Sequence, residues 1–458
     1  MRFLFTTLQF RESDFYGRVG AELNRRGHEV AHVAYSRRAA AALRARGHRA
    51  ECLPDRMAAL GPIDRATAEM HGERIVAQYD LPTIRDVWKT DWPCNGRSEA
   101  ECLDRTVRHF LALEAIVDEL APDVVVPEVG SESMRTAVHL VGLDRGAQVL
   151  FLFYTIFPEP LRLYRDTMHA PIVPEDELRE LTPGERAEVE RFIAGFTAAD
   201  RPIRAYRAAT VTPSKLRDFA RHIVVSATQD RDNEYLRPHT FVTNVVRERA
   251  RATLARRLYR EPDPAVPYVY FPLHVVDDYK IKRVIPHCYD QASIIEQVAD
   301  ALPHGHEIVL KEHPMSIGRN RLALLRRLAR IPNARIVPPH TSSHALMRGA
   351  RAVTVTSSTV GLEALLHDKP VLTLGQPFYG GYGITVDVDS FREIRTAVPA
   401  VLDFRPDHER ILRFLGAAMR ACYPGKPVLV DDSQENALAL AGSLDAAVRE
   451  RAPAAVAG

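Results

Sequence analysis

Short apolar runs alternate with amphipathic stretches in two parts of this chain, and that rhythm predicts parallel α/β sheets. The opening reads strand, helix, strand: RFLFTTL, then SDFYGRVGAELNRRG, then HEVAHVAYS. Within the helix Phe15, Val19 and Leu23 recur at helical spacing, and Gly27 stands where a C-cap glycine belongs. The unit returns at PDVVVPEVG (122–130), followed by the helix SESMRTAVHLVGLDRG, for which Ser131 is the expected cap, and the strand AQVLFLFYT. From 175 to 260 helical, Arg-rich segments replace the alternation. It resumes near Pro267 with PYVYFPL, EIVLKEHP, ARIVPP, AVTVTSS and PVLTLG, each joined to the next by a helical pattern.

The expected fold is therefore α/β, with two Rossmann-like doubly wound domains and a helical insertion. The expected division is 1–174 for the first domain, 175–262 for the insertion, 263–402 for the second domain and 403–458 for C-terminal helices. Two such domains facing one another would hold ligands in a cleft at the carboxyl ends of their strands.

Composition narrows the function by exclusion. The chain has 458 residues, 46% hydrophobic and 26% charged, and Lys plus Arg (61) nearly cancel Asp plus Glu (59), so no global field favours nucleic acid. Five scattered cysteines lack metal or disulfide spacing. The start is too short in apolar residues for a signal peptide, and no window approaches ~18 uninterrupted apolar residues. A cytoplasmic location is the expectation. The basic run VVRERARATLARRLYR (245–260) reads either as a solvated helix or as a peripheral contact with the membrane face.

Candidate chemistry lies at the predicted strand ends of the second domain. FPLHVVDDYKI ends a strand with His274, Asp277 and Asp278; EIVLKEHP ends the next with Lys311 and His313; TVTSSTVGLEALL places Ser357, Ser358 and Thr359 before a helix. Unpaired N–H groups at a helix start can receive a phosphate, or Ser358 or Thr359 can simply cap the helix. His313 fits a phosphate donor or an ordinary half-buried histidine, and Lys311 a ligand or a surface residue. Asp278 fits a nucleophile or a cap, and Glu363, one turn into its helix, a ribose ligand or a solvated carboxylate.

The blocks PLHVVDDYKI, VLKEHPMSIG, IPNARIVPP and TVTSSTVGLEALLHDKPVLTLGQPFYGGYGIT resemble the capsule polysaccharide synthesis glycosyltransferases, which include bacterial β-Kdo transferases. The His-Pro dipeptide with a later Ser/Thr pair is also similar to bacterial sialyltransferases. The resemblance implies a GT-B architecture and a CMP-linked ulosonic acid donor, with His313, Ser357 and Ser358 holding the CMP. It implies that Asp278 is the nucleophile of a retaining double displacement, although His274 stands where the family has Gln. A carboxylate of the first domain would act as acid/base. Glu128, Glu132 and Glu159 stand at predicted strand ends there, with Glu128 first by position, and FYTIFPEPLRLYRDT lacks the family's Glu-x-Gly pattern after its strand.

The expected function is thus a transferase of surface or capsular polysaccharide synthesis that takes a nucleotide-sugar donor and a glycan or glycolipid acceptor, with no metal and no separate cofactor. Two other readings use the same features: a GT-B transferase or epimerase for a UDP- or GDP-hexose, and a non-catalytic assembly factor for glycan or membrane.

Overall fold

The computed structural model describes residues 1–170, 173–198, 213–236, 238–276 and 278–450. Asp277 and the Ala-rich tail after residue 450 lie outside the described residues. The chain divides into two compact units, one of Met1–Met168, Arg217–His239 and Ala421–Gly458, the other of His169–Leu216 and Thr240–Arg420.

The first unit is a six-stranded sheet of β1 (Arg2–Thr7), β2 (Glu29–Ala34), β3 (Arg49–Cys52), β4 (Val124–Val126), β5 (Gln148–Tyr154) and β6 (Leu161–Arg165). Their order is β3-β2-β1-β4-β5-β6. All pairs are parallel except β5 with β6, which form an antiparallel pair. The expectation of a purely parallel sheet is corrected at that edge, where the short connection 155–160 allows a hairpin but not a crossover. Phe15, Val19 and Leu23 of the helix Phe10–Arg25 face the sheet core together with Leu440 and Leu444 of the helix Gln434–Arg449. That packing, with the His28–Asp445 contact at 2.9 Å, makes the last helix part of the first unit. Gly27 closes the Phe10–Arg25 helix at φ +87°. Ser131 does not cap the next helix. That helix starts at Ser133 with Glu132 as its N-cap residue, while the Ser131 hydroxyl donates to the Thr90 carbonyl.

The second unit is a parallel six-stranded sheet of β7 (Tyr268–Pro272), β8 (Glu307–Lys311), β9 (Ala334–Val337), β10 (Ala352–Val355), β11 (Val371–Thr373) and β12 (Val386–Asp387). The order β12-β11-β10-β7-β8-β9 repeats that of the first unit: successive strands are added on one side of β7 and then, from β10, on its other side, as they are about β1 from β4. In open α/β sheets such a switch point is where strand ends diverge and ligands bind. Strands β8 and β10 are almost wholly buried, as parallel strands covered on both faces must be.

The described residues of region 175–262 form the helices Pro183–Ala198, Pro213–Thr228 and Pro238–Ala255. It is shared between the two units, because residues 217–239 cluster with the first. Asn233 donates its side-chain amide to the Leu8 carbonyl at 2.6 Å, and Tyr235 donates its hydroxyl to Asp91 at 2.9 Å. The C-terminal helices divide likewise: His408–Arg420 belongs to the second unit and Gln434–Arg449 to the first. No helix among the described residues is long and apolar enough to cross a membrane.

Candidate active site

The switch point of the second unit collects most of the polar strand ends. Chain leaving β7 carries His274, Asp278 and Lys280; chain leaving β8 carries Lys311 and His313; chain leaving β10 carries Ser357, Ser358 and Thr359. Since β7 lies between β10 and β8, the residues after β7 have neighbours on both sides.

His274 is held by its backbone. Its N–H donates to Gln291 Oε1 at 2.7 Å, and Gln291 Nε2 donates to its carbonyl at 3.1 Å. Burial lowers the His274 pKa to about 4 despite the nearby Asp278 carboxylate, so the ring is neutral near pH 7. Among the described residues its buried Nδ1 has no hydrogen-bond partner. Asp278 Oδ1 accepts the Lys280 N–H at 2.8 Å. Asp278 acts electrostatically on His274, Lys280 and His313, which places all four groups in one neighbourhood.

The Lys-Glu-His-Pro end of β8 separates into three roles. Lys311 is 3% exposed and donates to Ser343 Oγ at 2.6 Å; burial lowers its pKa to about 8, with Glu363 acting in the opposite sense. Glu312 points the other way into the fold, 0% exposed, accepting from Asn320 at 2.8 Å and from the Tyr259 hydroxyl. It anchors the loop. His313 Nδ1 accepts the Met315 N–H at 3.1 Å, which assigns the neutral ring's proton to Nε2, a donor available to a ligand. The protein around His313 lowers its pKa, and Asp278 opposes that shift.

At the β10 end Ser358 caps the helix Thr359–Leu365, its hydroxyl accepting the Val360 N–H at 3.2 Å. Ser357 is buried and donates to the Gln376 carbonyl at 3.4 Å, while Thr359 opens the helix half-exposed. Tyr379 donates to the Ser358 carbonyl, fixing the turn from the opposite side. Glu363 acts electrostatically on Lys311, Tyr270 and Tyr379, so it belongs to the same neighbourhood.

The switch point of the first unit holds Glu128. It follows β4, is 3% exposed, has φ +59° and leaves Oε1 without a hydrogen-bond partner among the described residues. A buried carboxyl on a backbone in the left-handed region is an energetically costly placement, of the kind found at functional positions. Burial raises its pKa to about 8, against the pull of Arg135 and with Glu12 and Glu132 adding to the rise. Arg135 donates to Glu132 and to Glu12, each at 3.1 Å. Glu132 is therefore an ion-pair partner next to Glu128. Glu159 is exposed in the turn between β5 and β6.

Sequence reasoning missed two contributors and one motif. Lys280 and Gln291 carry no motif. Glu128 itself begins a Glu-x-Gly sequence, Glu128-Val129-Gly130, one strand before the stretch in which that pattern was sought. A β-carbon on Gly130 would lie 2.1 Å from Glu132 Oε2, so the Glu132 and Arg135 side chains would have to shift to admit one. Among the described residues no cluster of three or more His, Cys, Asp or Glu is arranged to hold a metal ion.

Residues 166–401, more than half of the chain, match the family described as capsule polysaccharide biosynthesis protein. Protein FixF of Sinorhizobium fredii is 28% identical over 164 residues, 35% of this chain and 39% of that protein. Capsule polysaccharide export protein KpsS of Escherichia coli is 32% identical over 118 residues, 25% of this chain and 29% of that protein. The matches thus span well under half the length of these relatives. Among solved structures, the Thermosulfurimonas dismutans KpsC β-Kdo 2,7 transferase is 18% identical, covering 76% of this chain and 98% of that one, with a TM-score of 0.36. On the family match, the chain belongs to the capsule polysaccharide biosynthesis protein family.

Proposed function

We propose that the protein is a GT-B glycosyltransferase of surface or capsular polysaccharide synthesis, acting at the cytoplasmic membrane face on a CMP-linked ulosonic acid. The observation that carries this reading is the gathering of Asp278, His313 and Lys311 around one topological switch point. A carboxylate stands beside an imidazole donor and a lysine, the set needed to attack an anomeric carbon while a phosphate departs.

In the first step an Asp278 oxygen bonds to the anomeric carbon as the bond from that carbon to the phosphate oxygen breaks. CMP leaves with the electron pair, stabilised by His313 Nε2–H and the Lys311 charge, with Ser357, Ser358 and Thr359 shaping the turn beside it and Glu363 available to the ribose. In the second step the acceptor hydroxyl attacks the same carbon, Asp278 is released, and Glu128 takes the hydroxyl proton. Two inversions give retention. A base with a pKa near 8 is matched to this task at neutral to mildly alkaline pH.

Thermal melting with CMP, UDP and GDP tests the donor class. A ligand at about 100 times its Kd stabilises by roughly 2.7 kcal/mol, enough to read as a clear rise in Tm. CMP is expected to raise the Tm with UDP and GDP inert. A rise with UDP or GDP alone would move the assignment to a hexose donor.

A further inference from the structure

Among the described residues the ammonium of Lys280 has no carboxylate partner. Its backbone N–H serves Asp278, but among the described residues its Nζ makes one long contact, 3.5 Å to the Ser357 carbonyl, and no carboxylate lies within ion-pair distance. Burial lowers its pKa, and Asp278 acts against that shift. A half-buried ammonium left with a single carbonyl is costly unless an anion arrives. Its direction is informative. Lys280 leaves β7 and reaches toward the end of β10, whereas Lys311 and His313 stand at the end of β8 on the opposite side of β7. Asp278 thus has a cation on one flank and a phosphate-type donor pair on the other.

We infer that Lys280 binds the carboxylate of the donor sugar and so selects an acidic sugar over a neutral one. This rests on the CMP-ulosonate reading above. In such a donor the anomeric carbon bears both the phosphate ester and a carboxylate, and attack by Asp278 brings a third anion to the same carbon. His313 and Lys311 answer the phosphate. Lys280, two residues from Asp278, is placed to answer the carboxylate and to offset its repulsion of the nucleophile. A neutral hexose would leave the ammonium unpaired, which discriminates against it.

Titration calorimetry with CMP and with CMP-Kdo on the wild type, Lys280→Met and Lys280→Arg tests this, with melting temperatures as the check on folding. Lys280→Met is expected to bind CMP within about twofold of the wild type and CMP-Kdo about tenfold or more weakly, and Lys280→Arg to recover most of that loss. Equal weakening for both ligands would make Lys280 a phosphate ligand and overturn the inference, as would no change for either. Failure of the wild type to bind CMP is a separate result, which removes the donor assignment itself and this inference with it.

Discussion

A β-carbon on Gly361 would lie 2.1 Å from the Tyr379 hydroxyl, which donates to the Ser358 carbonyl. The glycine thus lets an aromatic side chain lock the turn after β10 from beneath. Gly361→Ala is expected to destabilise the protein by about 1–3 kcal/mol through overpacking. It should also weaken CMP binding by displacing the turn. Tyr379→Phe keeps the ring and removes the bond, and should cost about 1 kcal/mol. Chemical denaturation with and without CMP separates the two effects; an Ala variant as stable as the wild type would contradict the locking role.

Asp278→Asn is expected to lower transfer by at least ~10³-fold, because an amide cannot serve as the nucleophile. Its melting temperature should stay close to that of the wild type, as the Lys280 N–H still finds an oxygen acceptor. Initial rates of CMP release measure this, and near-normal turnover would remove Asp278 from its role.

Glu128 makes stability depend on pH in a stated direction. Its folded-state pKa, about 8, lies above the ordinary carboxyl value of 4.5, so the folded state favours the protonated form. Its contribution is fully present below the ordinary value and is lost as the pH rises toward 8, at up to ~1.4 kcal/mol per pH unit. Glu128→Gln, which cannot ionise, should melt at a temperature that varies less between pH 5 and 9, and should overtake the wild type at the alkaline end. The same substitution should lower transfer by ~10²–10⁴-fold. Melting curves across that range check the first outcome and acceptor-dependent rates the second.

If Lys311 holds the nucleotide as proposed, its pKa near 8 sets an alkaline limit to binding. The affinity for CMP should fall several-fold between pH 7 and 9, approaching at most ~10-fold per pH unit beyond the pKa. Lys311→Met should bind more weakly at pH 7 and show a flat profile. His313→Ala should weaken CMP about tenfold at every pH, since a neutral Nε2–H donor is lost rather than a charge. Calorimetric titrations at fixed ionic strength make these comparisons.

Much of this was legible in the letters. Phe15, Val19 and Leu23 announced a buried helix face, and the apolar runs EIVLK and AVTV announced strands enclosed on both faces. Periodicity reports burial, and these elements are buried. The antiparallel β6 was not legible, because LRLYR reads like any short strand and its direction is set by the six-residue connection before it. The sharing of region 175–262 between two units was also invisible, since it depends on contacts such as Asn233 to Leu8 between residues far apart in sequence. At the site, residue types identified His313 and Asp278 as candidates. Only three-dimensional placement separates Glu312, which holds Asn320 and Tyr259 inside the fold, from Lys311 and His313 on either side of it. A lone lysine after a strand is ordinary in a sequence; what marks Lys280 is that no carboxylate among the described residues pairs with its ammonium.

The central claim, a glycosyl adduct on Asp278 formed from a CMP-ulosonate, is tested most directly by mass spectrometry of the protein incubated with CMP-Kdo without acceptor. The account predicts a mass increase equal to one sugar residue, mapping to the peptide that contains Asp278, absent in Asp278→Asn and discharged by added acceptor. Transfer to acceptor with no adduct at any time, or an adduct on a different residue, would contradict it.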